Sequence, residues 1–116
     1  MQVNDRTERA LRMLGLAVRA GRAVVGVPLI CEALKKGSAE KSPRLLLLAS
    51  DASANSEKRV RDRAAFYGIP CHALCADSGR LALAVGKREA AVVAAAVTDE
   101  GLAQAILHIL TEEDNR

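Results

Sequence analysis

Aromatic residues are almost missing from this chain. There is no Trp, and Phe66 and Tyr67 are the only Phe and Tyr among 116 residues. The core must therefore be built from Ala, Val, Leu and Ile, in a chain long enough for one compact domain spanning residues 1–116. The same scarcity argues against reading unpaired bases by stacking them on an exposed sheet, the habit of many single-strand binders. Cysteine is sparse as well. Cys31, Cys71 and Cys75 make an odd set with no Cys-x-x-Cys pair, which fits neither a disulfide framework nor a zinc ribbon. Reduced thiols in a cytoplasm are the expectation. Long apolar runs are lacking too: "AAVVAAAV" is far too short to span a bilayer, so no membrane partner is expected. The opening "MQVNDRTERALRMLG" is too charged for a signal peptide. What is present is a mild basic excess. Seventeen Lys and Arg stand against fourteen Asp and Glu, a net charge of +3 and a pI near 9.0, which suits RNA or another polyanion.

The apolar pattern alternates between two periods. Residues 5–20 read as a helix, with Ala10, Leu11, Leu14 and Ala17 at helical spacing, Asp5 or Thr7 as its cap and Gly21 as its stop. "RAVV" is a short strand. Residues 28–36 form a second helix with Pro28 in its first turn and Gly37 at its end. "RLLLLAS" reads as a strand buried on both faces. A helix follows, capped by Asn55 or Ser56 and stopped by Gly68. Then come a strand at "IPCHAL", a helix over 78–85, a strand at "AVVAAAV", and a last helix from Thr98 or Asp99 through Leu110. The tail "TEEDNR" is polar and expected to fray. The order α-β-α-β-α-β-α-β-α predicts a three-layer α/β/α sandwich.

Each candidate site has an ordinary explanation beside it. Gly26 would let a ligand approach the start of the second helix, where amides attract anions, yet Pro28 removes one donor. Glycine and proline are equally at home at any helix boundary. Ser50, Asp51, Ser53 and Asn55 follow the C-terminal end of a buried strand, a usual place for ligands. Capping and turn chemistry account for most of them. Calcium is rejected because Ser56 stands where its loop needs glycine. Lys58, Arg59, Arg61 and Arg63 lie on one helix, Lys58 able to pair with Asp62, and a solvated face is the default. Gly86, Lys87, Arg88 and Glu89 form a loop with two cations but no Walker pattern. Cys71, His72 and Cys75 have no fourth metal ligand in view, and His108 has no partner. No Ser-His-Asp, Cys-His or paired-carboxylate pattern stands out, so an enzyme is not expected, nor any cofactor or metal.

Four segments in succession, "LGLAVRAGRAVVG", "LLLLASDAS", "FYGIPCHAL" and "RLALAVGKREAAVVAAAVTDEGLAQAI", resemble the kink-turn RNA-binding family of ribosomal proteins. Its archetype is the archaeal large-subunit protein of the seven-Ae type, and the likeness is to its bacterial YlxQ-like branch. It runs from about Leu11 to Ile109 and rests on the succession rather than on any single motif. The resemblance implies a mixed four-stranded sheet between helices and binding of sharply bent RNA. It also implies three contact segments: Gly26 to Leu29, Ser50-Asp51, and Gly86 to Glu89. Kink-turn binders carry Gly-x-Asn-Glu-x-x-Lys at the second helix, the Asn and Glu reading sheared G·A pairs. Here Gly26 remains, but Pro28, Leu29 and Glu32 stand at the Asn, Glu and Lys positions.

The contacts that specify are thus replaced, while contacts that position can persist in Arg22, Lys35, Lys36, Lys87 and Arg88. The expectation is a non-enzymatic cytoplasmic protein on structured, possibly ribosomal RNA near translation, with altered or weakened kink-turn specificity. Asp51 would accept from a base or a 2′-hydroxyl. Two rivals remain. One is a protein-interaction module using Val27, Pro28 and Leu29 as an apolar knob. The other is an accessory domain of a larger RNA-processing protein.

Overall fold

A computed structural model describes residues 5–37, 41–87 and 90–111. The elements are α1 (Asp5–Arg19), β1 (Ala23–Val25), α2 (Val27–Lys36), β2 (Leu45–Leu48), α3 (Ala54–Tyr67), β3 (Cys71–Ala73), α4 (Ser78–Ala84), β4 (Ala94–Val97) and α5 (Glu100–Thr111). The order is the one the sequence predicts. The strands are shorter than the sequence suggests.

The sheet has the order β1-β4-β2-β3. β4 is antiparallel to β1 and β2, and β2 is parallel to β3. The central pair sets three leucines opposite alanines: Leu46 faces Ala96, Leu47 faces Ala95 and Leu48 faces Ala94, while Leu45 faces Val97. Every residue of both strands is buried. Alternate side chains go to opposite faces. Leu45, Leu47, Ala95 and Val97 pack with α1, α4 and α5, including Leu11, Leu14, Leu81 and Ile106. Leu46, Leu48, Ala94 and Ala96 pack with α2 and α3, against Ile30, Leu34 and Val60. The result is a three-layer sandwich filled mainly by aliphatic side chains, with Cys31 among them.

Helix ends follow local chemistry. The cap of α3 is Ser53, whose hydroxyl accepts from the Ser56 N–H, rather than Asn55 or Ser56. Only Ser53 sits in extended backbone one residue before the first helical residue. Asp5 and Thr7 both lie within α1, so neither stands at a cap position, and Thr7 is buried. Asp99, not Thr98, caps α5 by accepting from the Leu102 N–H. The Glu8 carboxylate accepts two hydrogen bonds from Arg80, at 2.7 and 3.2 Å, tying α1 to α4. That hydrogen bond holds the Glu8 carboxyl below its ordinary value. No described helix is long and apolar enough to cross a membrane.

Leu47 is fully buried in the larger cluster. Leu47→Ala is expected to destabilise the fold by about 2–5 kcal/mol, through lost burial and the cavity left behind. Urea denaturation would show the midpoint fall with the m-value unchanged.

Candidate functional site

The strand directions decide which loops meet. β1, β2 and β3 run one way and β4 the other. The residues after β1 and β2 therefore lie at the same end of the sheet as the residues before β4. Backbone hydrogen bonds close this end: the Gly26 N–H donates to Ala94 O at 3.0 Å, Ala49 N–H to Val93 O at 2.8 Å, and Ser50 N–H to Ala76 O at 2.8 Å. Gly26 and Ser50 are two strand spacings apart, roughly 10 Å. Gly26 to Leu29 and Ser50-Asp51 thus gather at one end, and Lys87 lines a groove together with Leu29; Arg88 and Glu89 lie outside the described residues.

The start of α2 differs from the starts of α3, α4 and α5. Those three have side-chain oxygen caps from Ser53, Asp77 and Asp99. α2 starts at Gly26 with no side-chain cap and no acidic residue in its first turn. Gly26 has φ 99° and ψ 143°, a conformation that only glycine adopts at ease. Val27 is 8% exposed and packs in the α2/α3 core, so its side chain forms no part of an apolar knob. Pro28 is exposed, and Leu29 is 55% exposed.

Leu29 opens a stripe along α2. Glu32, Ala33 and Lys36 follow at helical spacing, and all four line a groove of about 530 Å³ beside β1. Val18, Val24, Val25 and Val85 give it an apolar floor, while Lys36, Lys41 and Lys87 stand against one anion, Glu32. The sequence alone does not mark Lys41 as a site residue. It lies in the connection between α2 and β2, where a lone cation carries no local signal, and only the packing of that connection beside β1 reveals it.

Other expected site residues fall elsewhere. Arg22 is at the opposite end of β1, where its carbonyl accepts from Thr98 N–H. Lys35, one residue before Lys36, points round the helix into a cleft with α3. The Asp51 carboxylate already accepts from the Ser78 N–H at 2.8 Å and the Ser78 hydroxyl at 2.9 Å. It anchors the loop after β2 to the start of α4. Cys71 is on β3 and half-buried, whereas Cys75 lies beyond the strand's end at Ala73 and is exposed. Burial pushes the Cys71 thiol up, away from the thiolate a nucleophile needs. Among the described residues, no group of His, Cys, Asp and Glu is placed to hold a metal ion.

A model of the ribosomal protein L7Ae/L30e/S12e/Gadd45 family matches residues 8–107. The chain belongs to this family. Among its relatives, the RNA-binding protein YlxQ of Bacillus subtilis (strain 168) is 35% identical over 98 residues, covering 84% of this chain and 91% of that protein. The RNA-binding protein YlxQ of Enterococcus faecium is 31% identical over 71 residues, which is 61% of this chain and 65% of that protein, just under two thirds. Two solved structures share the L7Ae-family fold. A Bacillus halodurans protein of unknown function superposes with a TM-score of 0.77 and 28% identity, covering 89% of this chain and 97% of that one. The Giardia lamblia 15.5kD RNA binding protein superposes at 0.69 with 14% identity, covering 92% and 87%. At 14% identity, that likeness carries the fold alone.

Gly26 carries the backbone demand of the turn into α2. No heavy atom lies within 4 Å of a Cβ added there, so Gly26→Ala meets no clash, only backbone strain. The variant is expected to lose about 1–3 kcal/mol of stability, measured by thermal or urea unfolding.

Proposed function

We propose that the chain is a non-catalytic, single-domain, cytoplasmic RNA-binding protein that holds bent, structured RNA in the service of translation or ribosome assembly. The observation that carries this reading is the uncapped start of α2 opening into a groove rimmed by Lys36, Lys41 and Lys87. Amides at a helix start favour anions, and three lysines against one glutamate add to that field. Family membership and the names of the two YlxQ relatives support RNA as the polyanion.

Specificity for the kink is weakened. Pro28 has no N–H to donate and no side-chain amide, and Leu29 offers only carbon, so neither reads a base edge by hydrogen bonding. Glu32 repels phosphate at the position where kink-turn binders have lysine. Binding therefore rests on phosphate contacts from Lys36, Lys87 and Arg88, which fix position but carry no sequence information. Leu29 packs against the ribose or base surface of the bent strand. Asp51 orders the neighbouring loop through Ser78.

Filter binding tests this with a kink-turn RNA and an unkinked duplex of equal length, each at low and moderate salt. Affinity should fall steeply with salt, with only a small preference for the kink. Lys36→Ala/Lys87→Ala should reduce the slope of log K against log salt by about 2, one for each lost phosphate contact. Replacing the divergent positions together, Pro28→Asn/Leu29→Glu/Glu32→Lys, should raise the preference for the kink-turn. Absence of binding to either RNA at low salt would overturn the reading. Salt-insensitive capture of a protein at Leu29 would support a protein-docking groove instead.

A further inference from the structure

Phe66 and Tyr67 are the chain's only aromatic residues, and neither is in the core. Phe66 is 80% exposed and Tyr67 38% exposed, and their rings meet edge to face with centroids 4.9 Å apart. They border a cleft of about 470 Å³ between the last turns of α2 and α3, completed by Lys35, Asp62 and Arg63. Arg59 lies one turn before Arg63 on the same face of α3. Only part of the charge near this cleft is consumed internally. Lys58 is held by Asp62 and Arg61 by Glu57, whereas Lys35, Arg59 and Arg63 form no ion pair among the described residues.

We propose that this cleft is a second RNA contact: an unpaired base of a single-stranded segment stacks on the face of Phe66, with the perpendicular Tyr67 ring against its edge, while Lys35, Arg59 and Arg63 hold the flanking phosphates. The proposal rests on the RNA reading above but on different residues. α3 runs back from the Ser50–Asp51 end for 14 residues, so the cleft is at the other end of the sheet, about 20 Å away. An acidic peptide would use the cations and leave the aromatic faces idle. Single-stranded RNA uses both, since each nucleotide brings a phosphate and a π-face. The expectation against base stacking concerned aromatics arrayed on an open sheet; here the two rings are on a helix end.

Tyr67 supplies its own reporter. With one Tyr and no Trp, tyrosine emission reads this cleft alone. The full chain would be titrated with a short single-stranded oligouridylate and, separately, with polyglutamate as a base-free polyanion. Filter binding would run in parallel. Oligouridylate should quench Tyr67 saturably, and polyglutamate should not. Phe66→Ala should weaken oligouridylate binding at least about five-fold, the lower end for one stacked base. Lys35→Ala/Arg63→Ala should weaken it and make it less salt-dependent. Lys36→Ala/Lys87→Ala should leave the quenching in place. All these side chains are on the surface, and circular dichroism would check that the variants are folded.

Unchanged Tyr67 emission while structured RNA binds in the filter assay would overturn the second contact and leave the first standing. Equal quenching by polyglutamate would overturn it in favour of an acidic protein partner. Loss of quenching in Lys36→Ala/Lys87→Ala would overturn it by making the two surfaces one. No RNA bound in either assay would remove both readings together.

Discussion

The pairing of β2 with β4 is the constraint on which the rest of this protein depends. Leu45–Leu48 and Ala94–Val97 are buried on both faces, so neither strand has a side to give to water. Their register sets leucine against alanine at three successive positions. A slip of one residue would keep both strands apolar but send each side chain to the other helix layer. The register is thus held by volume rather than by polarity. In a core without aromatic rings, that complementarity lets the helices sit close. Gly15 of α1 shows how close: a Cβ there would lie 3.1 Å from the Ala84 carbonyl of α4.

From that pairing the gathering of loops at one end of the sheet follows. Because β4 runs against β1 and β2, three loops distant in sequence must emerge together. Two of them are tightened by chemistry within the chain. Asp51 grips Ser78, and Gly26 takes a positive φ that turns the backbone from β1 into α2. The same turn leaves the first amides of α2 without a side-chain cap. Val27 faces inward as part of the core, which explains one of the three apolar residues at this helix start. Pro28 and Leu29 face outward.

Basic residues are shared between two surfaces rather than massed on one. Adjacent residues on a helix point about 100° apart. Lys36 joins Lys41 and Lys87 beside β1, while Lys35 joins Arg63 and the aromatic pair beside α3. A net charge of +3 conceals this division. At the last turn of α2 the two surfaces are neighbours, parted by the rotation between Lys35 and Lys36.

The sequence by itself determined the element order, the layering and most helix ends. Period and punctuation are local properties: "RLLLLAS" has no polar face to expose, and Gly37 and Gly68 end helices through left-handed backbone. It also carried the family likeness and the departures at Pro28, Leu29 and Glu32, since these are identities at positions. The caps were less legible, because Ser53, Asn55 and Ser56 share one chemistry and only backbone conformation separates them. Tertiary structure alone decided which charges meet. It sent Arg22 to the far end of β1, divided Lys35 from Lys36, engaged Asp51 with Ser78 and brought Lys41 into the groove. Those outcomes depend on strand direction and helix rotation, and both are set by packing between segments far apart in the chain.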